Sequence, residues 1–415
     1  MSRRIAILGM VAALALTALP FGPSASAQGA SGPTKCKNGK AGIYFCNKID
    51  LVAEVPAADM GGAGIADVWG WVDPATKKEY AILGSTDGVQ FLDVSDPSKP
   101  IYLGVLPLKA PGGALIWQEI EILNDHAYIV CDLDPCGLQI FDLKRLSGAE
   151  AALPVWRPDV VVQIGPAHSI DANPDTNHIF VNGTGPVVAG QPTIYDVSQP
   201  LVPVPVGITY DDGYTHDSLC RTYKGPDKPY KGNEICFNFN EDTVTIYDVT
   251  ANPMTPVQLA RETYENASYV HSGALTKDHK TLITTDEGDE QTFGIRSTLY
   301  IWDVSKLTKP ELIGTFVAES GTIDHNVYSE NDALYHANYV NGFRILDLKN
   351  AHKAQLKEVA YFDTVPTSDA PEFNGAWAAY PYLPSGNILV GNMDGGLFIV
   401  RPEPSVFKSL GVKRK

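Results

Sequence analysis

The chain has 415 residues, with 32 Lys and Arg against 48 Asp and Glu, a formal net charge of −16 and a hydrophobic content of 44%. That much apolar material excludes an intrinsically disordered chain, and a sequence pI near 4.9 argues against a nucleic-acid-binding surface. With 37 Gly, 30 Pro, only 5 Met and many Val-Ile-Tyr-Thr runs, the composition favours strands over helices.

Residues 1–27 read as a cleaved signal peptide. Arg3 and Arg4 supply a positive start, and residues 5–19 form an apolar run too short to span a bilayer stably. Pro20 and Pro23 break the run, and Ala25-Ser26-Ala27 matches a cleavage site. A short membrane anchor is the competing reading. Ser2-Arg3-Arg4 hints at twin-arginine export, but Ala6 stands where that signal wants a large apolar residue, so ordinary secretion is favoured. No later stretch reaches 18 apolar residues, so the mature chain is expected to have no membrane span.

Residues 28–46 form a lead that contains the first of three local cysteine pairs: Cys36 and Cys46, Cys131 and Cys136, Cys220 and Cys236. An even count in a secreted chain reads as disulfides, and closeness in sequence favours these pairings. Zinc–thiolate binding is the alternative, weakened by the lack of any C-x-x-C.

From there one pattern recurs: apolar residues, then Asp, then Val or Leu. It appears as Phe91-Leu92-Asp93-Val94, and the Asp returns at 142, 196, 248, 303 and 347, at spacings of 44 to 55 residues. A seventh, degenerate copy is Leu397-Phe398-Ile399-Val400. A period near 50 residues marks a repeat fold. Each unit reads as four short strands. In unit six they fall at 326–329, 333–338, 343–348 and 356–362, with Asn341-Gly342 as a tight turn. Four antiparallel strands repeated radially make a β-propeller blade. The expectation is an all-β, seven-bladed β-propeller over residues 47–404, followed by a frayed tail at 405–415. Ile49–Val55 looks like a fourth strand with no repeat before it, and the last copy lacks one after it. Pairing the two closes the ring and removes two exposed sheet edges.

The apolar-Asp-Val repeat resembles the LVIVD repeat, and the wider chain resembles the secreted bacterial LVIVD proteins described as choice-of-anchor B. The resemblance runs through Tyr214-Thr215-His216-Asp217, Asn233-Glu234-Ile235-Cys236-Phe237-Asn238, Asp286-Glu287-Gly288-Asp289-Glu290, Asp324-His325-Asn326 and Gly342-Phe343-Arg344-Ile345-Leu346-Asp347. It implies a bacterial extracytoplasmic propeller and no particular reaction. Many members carry a C-terminal surface anchor. This chain stops without one, so a secreted or periplasmic form is expected, as a monomer.

Four histidines, His168, His216, His271 and His325, share one register at the start of the first strand of units three to six. First strands line a propeller's central channel, so the four are expected to ring one mouth. Two readings stand. The imidazoles hold a transition metal, with Glu119, Asp217 and Asp324 as orienting carboxylates. Or each ring hydrogen-bonds within its own blade, for instance to the motif Asp, and serves packing. Units one, two and seven offer Asp67 with Trp69, Gln118 with Glu119, and Trp377 at that place.

The loops between second and third strands share that face and are acidic: Asp87, Asp132, Asp134, Glu241, Asp242 and the cluster Asp286, Glu287, Asp289 and Glu290. Clustered carboxylates suit Ca²⁺, although Asp-Gly pairs also simply make turns. No Gly-x-Ser-x-Gly, His-Glu-x-x-His, Walker loop or dinucleotide fingerprint is present. Two function classes remain: a scaffold that binds a protein or small-molecule ligand at the histidine face, and a metal-dependent, redox or oxygenase-like enzyme built on the four axial histidines.

Overall fold

The computed structural model describes residues 32–414 except 61–63, 108–116, 133–135, 150–154, 186–188 and 210–211. The proposed signal peptide, 1–27, and Asp134 lie outside the described residues.

Seven antiparallel sheets form a seven-bladed propeller. The innermost strands of blades one to seven are Ile65–Val72, Gln118–Leu123, Ser169–Asn173, Asp217–Thr222, Val270–Leu275, Val327–Glu330 and Ala376–Tyr380. Second and third strands are buried on both faces, as Glu79–Ser85 and Gly88–Asp93 show by being buried at every position. Their apolar side chains fill the seams between blades, where Phe91 and Phe141 stack at 4.8 Å across blades one and two.

The motif Asp has a local task. Each of Asp93, Asp142, Asp196, Asp248, Asp303 and Asp347 accepts the backbone N–H two residues on, at 2.8–3.0 Å, and so turns the chain out of the third strand. The Val or Leu that follows is buried and ties its N–H back to the start of the second strand or the residue just before it, as Val304 does to Lys280 (2.8 Å). In blade seven the third strand, Gly396–Pro402, has no fourth strand to turn into, and Val400 replaces Asp. The fourth strand there is Ile49–Val55, with Leu51 opposite Val400, so the ring closes as expected. In blade six, Gly342 of the Asn341-Gly342 turn has φ +76°, and a Cβ on it would sit 2.4 Å from the Phe362 carbonyl oxygen, so glycine is required.

Two elements depart from expectation. Within the lead, Lys40–Ala41 and Tyr44–Asn47 extend the outer edge of blade six into a six-stranded sheet, with Cys46 opposite Phe362. The tail is not frayed. Pro404–Ser409 is helical, and Val406, Phe407, Leu410 and Val412 pack into the core of blades six and seven. Arg414 donates to Glu330 (2.8 Å) and to the Pro381 carbonyl (2.7 Å). Four buried apolar residues dock this segment, a signal that the basic run at its end hides.

The disulfides are Cys36–Cys46, Cys131–Cys136 across the blade-two hairpin, and Cys220–Cys236, directly opposed on the first two strands of blade four. Three disulfides indicate an oxidising, extracytoplasmic compartment. Among the described residues no helix is long and apolar enough to cross a membrane.

Candidate metal site at the propeller axis

His168, His216 and His325 precede the inner strands of blades three, four and six, and His271 is the second residue of that in blade five. A common register therefore brings them to one mouth. Their rings follow one another in an arc, each tilted to the next, with centroids 4.2, 4.1 and 4.3 Å apart in order, and His325 also lies 4.3 Å from the Tyr339 ring. All four border a cavity of about 20 Å³ with Asp67, Glu119, Asp217 and Trp377, room for one water or one ion.

No ring bonds the motif Asp of its own blade. Three of the four reach an adjacent blade instead. His168 Nδ1 donates to Asp132 (2.9 Å), His216 Nδ1 to the His271 carbonyl (3.2 Å), and His325 Nδ1 to the Trp377 carbonyl (2.6 Å). A carbonyl only accepts, so Nδ1 of His216 and His325 carries the proton and Nε2 presents a lone pair. His271 Nδ1 is buried without a hydrogen-bond partner among the described residues.

Burial, reinforced by neighbouring rings, holds His216 and His271 well below the usual imidazole range, and burial brings His325 to about 3. These three are neutral near pH 7. His168 differs: burial opposes its charge, but the hydrogen bond and charge of Asp132 outweigh it and raise its pKa.

Glu287 faces this arc from the blade-five loop. Its Oε1 lies 3.4 Å from His325 Nε2 and its Oε2 3.7 Å from His271 Nε2. Burial raises its pKa to about 7, although the Tyr339 hydroxyl, donating at 2.5 Å, favours the carboxylate. Among the described residues, His216, His271 and Glu287 are the one group of three or more possible ligands whose ligand atoms all lie within 4.8 Å of one another.

The expected orienting carboxylates fare unevenly. Glu119 and Asp217 line the cavity, yet neither hydrogen-bonds a histidine. Asp217 accepts the Ser218 N–H (2.7 Å), and Asp67 beside them accepts that of Ile120 (2.8 Å). Burial raises all three carboxyls. Asp324 is elsewhere. Its oxygens accept the backbone N–H groups of Asp286 (3.0 Å) and Thr298 (3.1 Å), so it anchors blade five and does not orient His325.

The acidic loop does not gather its four carboxylates on one centre. Asp286 spends its oxygens on the Tyr264 hydroxyl and the N–H groups of Ser268, Tyr269 and Gly288. Asp289 accepts from the Tyr300 hydroxyl (2.7 Å), and Glu290 from the Asp324 N–H (3.1 Å). Asp289–Phe293 is a helical turn, which fans successive side chains apart. Only Glu287 turns to the histidines. Its role, and those of Asp132 and Tyr339, escaped sequence reasoning. The available signal was that the second-to-third-strand loops share the histidine face.

No protein-family model matches the chain, and no curated protein does. Among solved structures it is similar to the crystal structure of RRP9 WD40 repeats, with TM-score 0.53 and 10% identity over 82% of this chain and 94% of that one. It is similar to the structure of U3-55K at the same TM-score and identity, over 82% and 95%. At that identity the likeness shows the propeller fold alone.

Proposed function

We propose that this chain is an extracytoplasmic, metal-binding β-propeller of the LVIVD-repeat kind. Its axial site would hold a divalent transition-metal ion through Nε2 of His216, His271 and His325 and the carboxylate of Glu287. One observation carries the reading: possible ligand atoms of His216, His271 and Glu287 lie within 4.8 Å of one another, and the lone-pair Nε2 of His325 is 3.4 Å from Glu287 Oε1. A cation at the centre would make each of these contacts favourable. Neutral imidazoles with one carboxylate suit Zn²⁺, Fe²⁺ or Cu²⁺ better than Ca²⁺. The carbonyls of His271 and Trp377 and the Tyr339 hydroxyl would act as the outer partners that orient ligands. The cavity of about 20 Å³ beside these rings, lined by Asp67, Glu119 and Asp217 and not by Glu287, holds no more than one water, which favours a binding scaffold over turnover of an organic substrate at this mouth. Three disulfides and the signal-like residues 1–27 support secretion.

The test is elemental analysis of protein purified without affinity metal, followed by equilibrium dialysis of the chelated protein against Zn²⁺, Fe²⁺ and Cu²⁺. One equivalent is expected, lost in His216→Ala and Glu287→Gln. No stoichiometric metal under any condition, or full retention in both variants, would overturn the reading.

A further inference from the structure

The inner strands that begin at the histidines end at the opposite mouth of the channel. There they enclose a second cavity of about 420 Å³, within the range of small-molecule sites. One wall is aromatic, built from Trp69, Tyr328 and Tyr382 of blades one, six and seven. The Trp69 ring lies 6.2 Å from Tyr328 and 6.5 Å from Tyr382. The other wall carries Arg221, Lys277 and His279 of blades four and five, with aliphatic side chains such as Leu219 and Leu275 between.

Three side chains of this cavity, Arg221, Trp69 and His279, carry N–H donors with no acceptor among the described residues. Arg221 directs a single nitrogen, Nη1, at Asp171 (2.8 Å to each oxygen) and at the carbonyls of Ala172 and Cys220. Its Nε and Nη2 have no hydrogen-bond partner among the described residues, and neither has the Trp69 indole N–H. His279 Nδ1 accepts the Lys224 N–H at 3.3 Å, which puts the ring proton on Nε2. Lys277 is engaged with Asp332 (2.6 Å). The one carboxyl on the lining, Glu121, accepts the N–H of Ile122, and burial raises its pKa well above the carboxylate range, so it opposes an anion little.

We propose that this mouth is a second, distinct ligand site, and that it binds an aromatic carboxylate. The free edge of the Arg221 guanidinium and the Trp69 N–H take the carboxylate, and the ring lies against Tyr328 and Tyr382. A planar guanidinium with two free N–H directions matches a carboxylate. The apolar and aromatic remainder of the wall asks for a flat apolar body and not a small hydrophilic ion.

The test is calorimetric titration of the full chain, dialysed against EDTA, with benzoate, phenylacetate and indole-3-carboxylate, and with benzamide as the uncharged match. Saturable binding of at least one carboxylate at one site is expected, with benzamide weaker by about tenfold or more. Arg221→Lys keeps a cation beside Asp171 but loses the fork, and should weaken binding about tenfold. Trp69→Phe keeps an aromatic ring but loses the donor with the five-membered half of the indole, so it tests the site even if Arg221→Lys misfolds, and a severalfold loss is expected. The assignment is overturned if none of the three carboxylates binds, if benzamide binds equally well, or if Trp69→Phe and Arg221→Lys leave affinity unchanged. Binding that requires added metal and disappears in His216→Ala would place the carboxylate on the axial metal and overturn it too.

Discussion

The two mouths of one channel are built from the same strands and are chemically opposite. The strand Asp217–Thr222 follows His216 at one end and carries Arg221 near the other. Val270–Leu275 carries His271 at its start and runs on to Lys277 and His279. At the first mouth the lone-pair Nε2 of His325 lies beside the Glu287 carboxyl, and at the second Arg221, Trp69 and His279 carry N–H groups with no acceptor among the described residues. Inner strands of all blades run in the same direction, so each residue position becomes a layer across the axis. A layer of acceptors calls for a cation and a layer of donors for an anion. The buried carboxyls of Asp67, Glu119 and Asp217 line the first cavity, and buried Asp171 holds Arg221 at the second.

The largest effect would remove both mouths together. Deleting residues 47–56 strips blade seven of Ile49–Val55 and opens the ring, exposing the edge of Gly396–Pro402 and the core residues that Ile49 and Leu51 pack against. The expected result is loss of a cooperative thermal transition by circular dichroism, and an unchanged melt would refute the closure's importance.

The next separates the mouths. Arg221→Met leaves Asp171 buried beside Glu121 without its cation. A broken buried pair costs about 3–5 kcal/mol, and the half-open position of Arg221 reduces this to about 2 kcal/mol. His271→Gln in metal-free protein removes a ring whose Nδ1 already lacks a partner, so about 1 kcal/mol or less is expected. Urea unfolding of both variants measures the difference, and equal losses would contradict the contrast drawn between the two ends.

The smallest effect lies outside both mouths and serves as their control. His178 Nδ1 sits 2.7 Å from Glu234 across blades three and four. Burial opposes the His178 charge, but Glu234 outweighs it and raises the pKa. The folded pKa then exceeds the unfolded one. The stabilisation is complete below the ordinary histidine value, ~6.5, and fades as pH rises through the folded value. His178→Gln should flatten the stability profile in that window without altering metal or carboxylate binding. A profile that keeps its slope would show that another group sets it.

Much of this architecture is local, and local features are legible in a sequence. The motif Asp bonds the N–H two residues on, so its recurrence marks the end of each third strand wherever it occurs. Its loss at Val400 marks the blade that must borrow a strand. The cysteine pairs lie 5 to 16 residues apart, close enough for hairpins to align them. The histidine register likewise follows from the repeat period. The partners of those histidines do not. Asp132 reaches His168 from 36 positions away, Tyr339 reaches Glu287 across 52, and Arg221 reaches Asp171 across 50. Each contact crosses a seam between blades, where neighbours are set by the radius and stagger of the ring. That is why Glu287 rather than Asp324 faces the rings, and why the donor-lined mouth has no motif of its own. The repeat in the chain determined the blades and their closure. Only packing the blades around one axis decided which side chains meet, because a repeat specifies a residue's place within its blade and not what the next blade presents to it.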